Sequence, residues 1–224
     1  VRLTYRALDD QSRRAAAMRS AAGALPGRPV AILAVPSAVY LVAWLGAVRL
    51  GAVPMALHVR ESGEVLARIC RKTRPPVLLY DLSMEALAGA VAAGSPGIAA
   101  TIALRSAVSS EGAAPGAAGV IPDDLGRYPA DAPFALPAED DPALIALSSG
   151  TTSVPKGVVH THRGLVELAR TDLYLYGGIR PGDRSLVPLS TAFIGCTNGW
   201  LPFLNAGACA VFMERFDLTD LVRR

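Results

Sequence analysis

With 224 residues, 51% of them apolar, the chain can bury the core of one large domain or two small ones, which excludes a disordered protein. Its formal charge of +3 is the balance of 22 basic and 19 acidic residues spread along the whole length. No run of Lys or Arg could follow a phosphate backbone, so nucleic acid is not an expected partner.

The chain opens on Val1-Arg2-Leu3-Thr4, without an initiator Met or a signal-peptide pattern, and reads as a fragment of something longer. An Ala- and Arg-rich helix is predicted from about Asp9 to Ala22, ended by Gly23 and followed by Pro26-Gly27. It should lie on a surface with Leu8, Ala15 and Met18 turned inward. The stretch from Pro29 to Val48 then carries no charged side chain over about twenty residues, the length a bilayer demands. Pro36-Ser37 divides it into a strand over 30–35 and a helix over 38–50 closed by Arg49 and Gly51, so a buried strand, turn and helix is favoured and no membrane span is expected.

A second strand is predicted over 52–56, a helix with a Ser62 cap over 62–72, and a strand over 75–80. Strands alternating with helices at short intervals predict an α/β fold with mostly parallel sheets flanked by helices, because each parallel return needs a crossover. From Ala88 to Ala138 the composition drifts to Ala, Gly, Pro and Ser, and a flexible surface loop is expected at about 108–139. Order should return with an apolar strand over 142–147, which feeds the hydroxyl-rich stretch 148–157 and then a helix from about Thr161 to Tyr174. A final unit runs from a strand at 185–189 through an apolar helical stretch, Phe193 to Leu204, to a strand at 208–213. A new helix is expected to begin just before Arg224.

Cys70, Cys196 and Cys209 are odd in number and outside any CxxC pattern, which argues against a disulfide framework or structural zinc and fits a reducing cytoplasm. His58, His160 and His162 are read as ordinary polar positions, and no metal-ligand set is expected.

The stretch Ser148-Ser149-Gly150-Thr151-Thr152-Ser153-Val154-Pro155-Lys156-Gly157 carries the chemistry. Five of the six residues from Ser148 to Ser153 are hydroxyls and the sixth is Gly150, so backbone amides and side-chain donors can converge on one small anion. Gly150 permits close backbone approach, Pro155 stiffens the return, Lys156 adds a full positive charge on a flexible stem, and Gly157 lets the chain leave sharply. A solvent-exposed Ser/Thr turn does not explain a Lys framed by Pro and Gly after five hydroxyls. The P-loop pattern is not met either, since Pro155 precedes Lys156 and Gly157 follows it. The ensemble suits the β- and γ-phosphates of a nucleotide.

That stretch resembles the signature loop of the adenylate-forming acyl-, aryl- and aminoacyl-activating synthetases, [ST]-S-G-T-T-G-x-P-K-G, at nine of ten positions counting the free one. Leu45 to Pro54 is similar to the family's earlier helix-to-strand motif, Leu3-Thr4-Tyr5 with Leu8 to its opening segment, and Gly207 to Phe212 with Phe216-Asp217 to its segment after the acid pocket. The resemblance departs at Ser153, where the family has glycine, and at Pro188 to Gly195, where members often carry an aromatic or His beside the carboxylate site.

The resemblance implies an incomplete N-terminal adenylation (AMP-binding) domain over 1–224, with the C-terminal domain and the later adenine, ribose and magnesium motifs absent, so that the chain alone should be nearly inert. It implies ATP and Mg2+ as cofactors, a small carboxylic acid as substrate, and coenzyme A or the phosphopantetheine of a carrier protein as acceptor. Lys156, Thr151 and Thr152 take the catalytic role, with Ser148, Ser149, Gly150, Ser153, Pro155 and Gly157 around the phosphates. Phe193, Ile194, Gly195, Cys196 and Trp200 would wall the acid pocket, although Phe193 and Trp200 fit core positions at helical spacing equally well. No basic residue lies there, so an apolar or aromatic acid is expected. Two readings stay open beside an acyl-CoA ligase: an adenylation domain loading a carrier protein, and a non-catalytic nucleotide-binding module marked by Ser153 and the altered acid-site run.

Overall fold

The structure, a computed structural model, describes residues 2–106, 120–121, 123–132, 134, 136–148, 155–175 and 177–215. Its first helix, α1 (Tyr5–Ala21), starts four residues ahead of the predicted Asp9 because the Thr4 hydroxyl accepts the Ala7 N–H and so caps the first turn. Asp9, inside the helix, pairs with Arg13 at 3.0 Å and with Arg49 of the next helix. Strand β1 (Pro29–Leu33) and helix α2 (Ala38–Arg49) divide the apolar stretch where Pro36-Ser37 was expected to divide it, with the Ser37 hydroxyl accepting the Tyr40 N–H. Among the described residues no helix is long and apolar enough to cross a membrane.

Strand β2 (Val53–Ala56), helix α3 (Gly63–Thr73), strand β3 (Val77–Asp81), helix α4 (Glu85–Ala93) and strand β4 (Ala100–Leu104) continue the alternation. The drift toward Ala and Gly at Ala88 therefore does not end the regular structure, because Ala88 and Val91 suffice to seat α4 on the sheet. Of the loop expected at about 108–139, residues 108–119, 122, 133 and 135 lie outside the described residues. Val120–Ile121 form β5, which pairs in parallel with β4, and Ile121 and Leu125 are buried.

Strand β6 (Pro142–Ser148), strand β7 (Lys156–Thr161) and helix α5 (His162–Leu175) follow, then β8 (Arg184–Val187), α6 (Ile194–Asn205) and β9 (Cys209–Phe212). The new helix expected before Arg224 falls outside the described residues. The main sheet has the order β5-β4-β3-β1-β2-β6-β7 and is parallel throughout except for the β6–β7 pair. The second sheet is the parallel pair β8–β9 with α6 as its crossover. The Tyr5 hydroxyl donates to the Ala208 carbonyl at 2.6 Å and so ties the start of α1 to this second sheet.

Period-two alternation sets the core. Val30, Ile32, Val77 and Leu79 face the layer holding Ala15, Met18, Tyr40 and Trp44 of α1 and α2. Ala31, Leu33, Leu78 and Tyr80 face the opposite layer, with Leu66, Ile69 and Cys70 of α3 and Val91 of α4. Each fully buried Leu or Ile contributes about 1.5–3 kcal/mol relative to exposure.

Ala15 and Met18 turn inward as predicted, and Leu8 packs against the core. The helix is more than a surface element, however, because Arg19 is fully buried where α1 crosses α2. A Cβ at Gly46 of α2 would collide with Arg19 Nη1 and stand 2.9 Å from Ala15 Cβ, so a glycine is required for the two helices to approach this closely. Arg19 Nη1 donates to the Ala15 carbonyl at 2.5 Å, while Nε and Nη2 have no partner among the described residues. Burial pulls its guanidinium down to about 9.

Candidate functional site

Strands β6 and β7 run antiparallel, pairing Leu147 with Gly157 and Ser148 with Lys156. Ser148 Oγ donates to the Lys156 carbonyl at 3.3 Å. The two ends of the hydroxyl-rich stretch are thus neighbours across an antiparallel pair. Ser149, Gly150, Thr151, Thr152, Ser153 and Val154 themselves lie outside the described residues.

This corrects the predicted order of strand, loop and helix. Helix α5 begins only at His162, with β7 inserted before it, so the helix does not follow the loop directly. Gly157 is corrected with it: the residue is extended inside β7 rather than at a sharp exit. Its constraint is lateral, since a Cβ there would stand 3.0 Å from Ile145 Cγ2 on the paired strand. Pro155 is half-buried and Lys156 exposed, and among the described residues no carboxylate pairs with Lys156. The last four residues of β6 are only half-buried, less covered than a strand inside the sheet.

Because β1, β2 and β6 are parallel, their carboxyl ends open on one edge of the sheet. Strand β1 is followed in sequence by β2 on one side and β3 lies on its other side, the kind of switch in strand order where α/β proteins form ligand crevices. The segment before α6 reaches over this edge. Thr191 Oγ1, buried, donates to the Ala34 carbonyl at 2.8 Å, just beyond the end of β1. Phe193 is the N-cap residue of α6 and is 50% exposed. Its ring meets that of His58, just beyond β2, edge to face at a centroid distance of 5.2 Å and an interplanar angle of 69°.

The five residues expected at the acid pocket separate by burial. Phe193 faces outward, Ile194 and Gly195 are half-buried, and Cys196 and Trp200 are fully buried in the core. Trp200 packs edge to face on Trp44 of α2 at 5.1 Å, the core position that helical spacing allowed. Burial pushes the Cys196 thiol up to about 12, which keeps it protonated and unreactive at neutral pH. At Gly195 a Cβ would come within 2.9 Å of Leu189 Cδ1, the tip of a half-exposed side chain.

His160 sits on β7, whereas His162 opens α5 with its N–H on the Asp141 carbonyl. Burial lowers His162, and Asp141 opposes that shift. Among the described residues no cluster of three or more His, Cys, Asp or Glu could hold a metal. A cavity of about 610 Å³ between α1 and the Tyr128–Phe134 segment touches none of the predicted site residues. His58 is the site neighbour that sequence reasoning missed, although its place just beyond a short apolar strand was a signal for the carboxyl edge.

Residues 1–224 match the family described as AMP-binding enzyme. The chain is 28% identical to long-chain-fatty-acid–CoA ligase FadD13 of Mycobacterium tuberculosis over 223 residues, 99% of this chain and 42% of that protein. It is 32% identical to phosphinothricin tripeptide synthetase PhsC of Streptomyces viridochromogenes over 227 residues, 99% of this chain and 19% of that protein. The inhibitor-bound N-terminal domain of FACL13 from Mycobacterium tuberculosis is similar in structure, with a TM-score of 0.83 at 27% identity, covering 99% of this chain and 52% of that one. The chain thus spans less than half the length of these curated relatives.

Proposed function

The chain belongs to the AMP-binding enzyme family, and from that premise we propose that it forms the N-terminal part of the adenylation domain of an acid–thiol ligase. The reaction joins a carboxylate oxygen to the α-phosphorus of ATP while the bond to the bridging oxygen breaks, giving an acyl-adenylate and pyrophosphate. A thiol then displaces AMP to leave a thioester. The observation that carries this reading is the pairing of Ser148 with Lys156 on adjacent strands, which sets an exposed cation with no carboxylate pairing among the described residues opposite the first hydroxyl of the hydroxyl-rich sequence.

The barrier to adenylation is mainly anionic repulsion and the charge growing on the leaving group. Lys156 offsets that charge, the hydroxyls of Ser148, Ser149, Thr151, Thr152 and Ser153 donate to phosphate oxygens, and Gly150 lets the backbone approach them. Pro155 and Gly157 fix the base of the hairpin. This donor set fits a polyphosphate. Mg2+ bound with the nucleotide supplies further charge neutralisation, and no residue of this chain is assigned to it.

Phe193, Ile194 and Gly195 wall the acid side, with Cys196 and Trp200 supporting them from the core. An apolar or aromatic acid suits a stretch without a basic residue, and the fatty-acid ligase name of FadD13 supports the apolar choice. Coenzyme A is the proposed acceptor. The 32% identity to a peptide synthetase across nearly the whole chain favours a second reading, in which the acceptor is the phosphopantetheine of a carrier protein. The three cysteines are all free, which supports a reducing compartment such as the cytoplasm.

Acid-dependent ATP–pyrophosphate exchange tests the proposal. The intact enzyme is expected to show it, Lys156→Ala to reduce it about 100-fold or more, and the isolated 224-residue chain to lack it. Normal exchange in the Lys156→Ala enzyme overturns the role of Lys156. An intact protein that binds ATP yet turns over no acid is the non-catalytic module instead.

A further inference from the structure

We propose that His58 is a positioning residue for the acid site, holding Phe193 in place through its ring and so setting which acids fit. The inference rests on the ligase reading for the nature of what is bound, and on geometry for the contact itself. Strand β2 pairs in parallel with β6, Met55 opposite Ile145, so both strands end toward the same edge of the sheet. Leu57 still donates its N–H to the Ile32 carbonyl at 2.8 Å, so the chain holds its course to the residue before His58. His58 therefore stands at that carboxyl edge, against Phe193 of the wall expected for the acid.

Both rings are anchored from behind. His58 Nδ1 accepts the Arg60 N–H at 3.2 Å and its carbonyl accepts the Glu61 N–H at 3.0 Å, which pins the imidazole into the turn after β2. With Nδ1 accepting, the neutral ring carries its proton on Nε2. On the other side, the Thr191 hydroxyl on the Ala34 carbonyl and the Phe193 N–H on the Ser190 carbonyl hold the backbone that presents Phe193. A half-exposed phenyl ring on a fixed backbone still rotates about its side-chain torsions unless something packs against it. The edge-to-face contact at 5.2 Å supplies that packing with the geometry aromatic pairs prefer.

In the intact enzyme, His58→Ala is expected to raise the KM for the acid about threefold to tenfold, the range a single aromatic pair accounts for, and to leave the KM for ATP within about twofold. Phe193→Ala should do the same, the double variant should be no worse than Phe193→Ala alone, and His58→Phe should restore the acid KM. An acid KM unmoved by His58→Ala, or effects of the two single changes that simply multiply, overturns the proposal. NMR of the labelled Phe193 ring gives a readout without catalysis: its rotamer averaging and flip rate should rise in His58→Ala and return to normal in His58→Phe. Unchanged ring dynamics in His58→Ala also overturn it. Absence of acid-dependent turnover in the unaltered enzyme sinks the ligase reading, and the ring dynamics then still decide whether His58 holds Phe193.

Discussion

Strands β1 and β7 belong to one sheet and have opposite surroundings. Val30, Ala31, Ile32 and Leu33 of β1 are fully buried, each face covered by a pair of helices. In β7, at the edge, Val158 and Val159 point to opposite faces and are 47% and 56% exposed. The interior strands hold the fold, while the edge strand that carries Lys156 adds little buried area. Stability and proposed chemistry are thus carried by different parts of the same sheet.

The comparison is sharpened most by pH. Burial raises Cys70 and Cys196 from the ordinary thiol value of 9.0 to about 12. The unfolded chain releases these protons above pH 9 and the native one keeps them, so their stabilisation is complete below pH 9 and is lost as pH rises toward 12. The relation between pKa and free energy puts this at about 4 kcal/mol per thiol across the window. Urea unfolding at stepped pH should show the decline, and a Cys70→Ala/Cys196→Ala variant should lessen it, leaving the part carried by Tyr40, whose phenol burial also raises.

Gly46→Val should cost about 2–3 kcal/mol by forcing α1 and α2 apart at Ala15 and Arg19, read from the urea midpoint. A midpoint unchanged by that substitution would break the picture of a tightly packed interior. Arg19→Met is expected to raise stability at pH 7 by about 1–2 kcal/mol, because it removes a buried cation two of whose nitrogens lack partners among the described residues. Smallest of all, Lys156→Ala should move stability by less than about 0.5 kcal/mol while lowering exchange about 100-fold or more. A large loss of stability there would erase the distinction between framework and site.

Legibility followed the range of the interactions. The boundaries of β1 and α2 came within two residues of expectation because the Pro36-Ser37 break and the Ser37 cap act within one turn. The start of α1 was missed because two nearby residues, Thr4 and Asp9, could each cap a helix, and only the fold engages Asp9 with Arg49. Strand β7 escaped because Val158-Val159-His160 is too short to declare a period and is extended only through pairing with β6. The core role of Trp200 against Trp44 was one of two readings that helical spacing permitted, and packing against α2 separated them.

The sequence alone determined the α/β class, the alternation of strands and helices, and the hydroxyl-rich stretch with its Lys, because caps, periodicity and loop chemistry are local properties. Only the tertiary structure decided that β1 lies between β2 and β3, that β7 turns back antiparallel on β6, and that Ser148 and Lys156 face one another. It also brought together His58 and Phe193, and Arg19 and Gly46. These pairings are fixed by strand order and by which faces must be buried, and both depend on parts of the chain far apart in sequence.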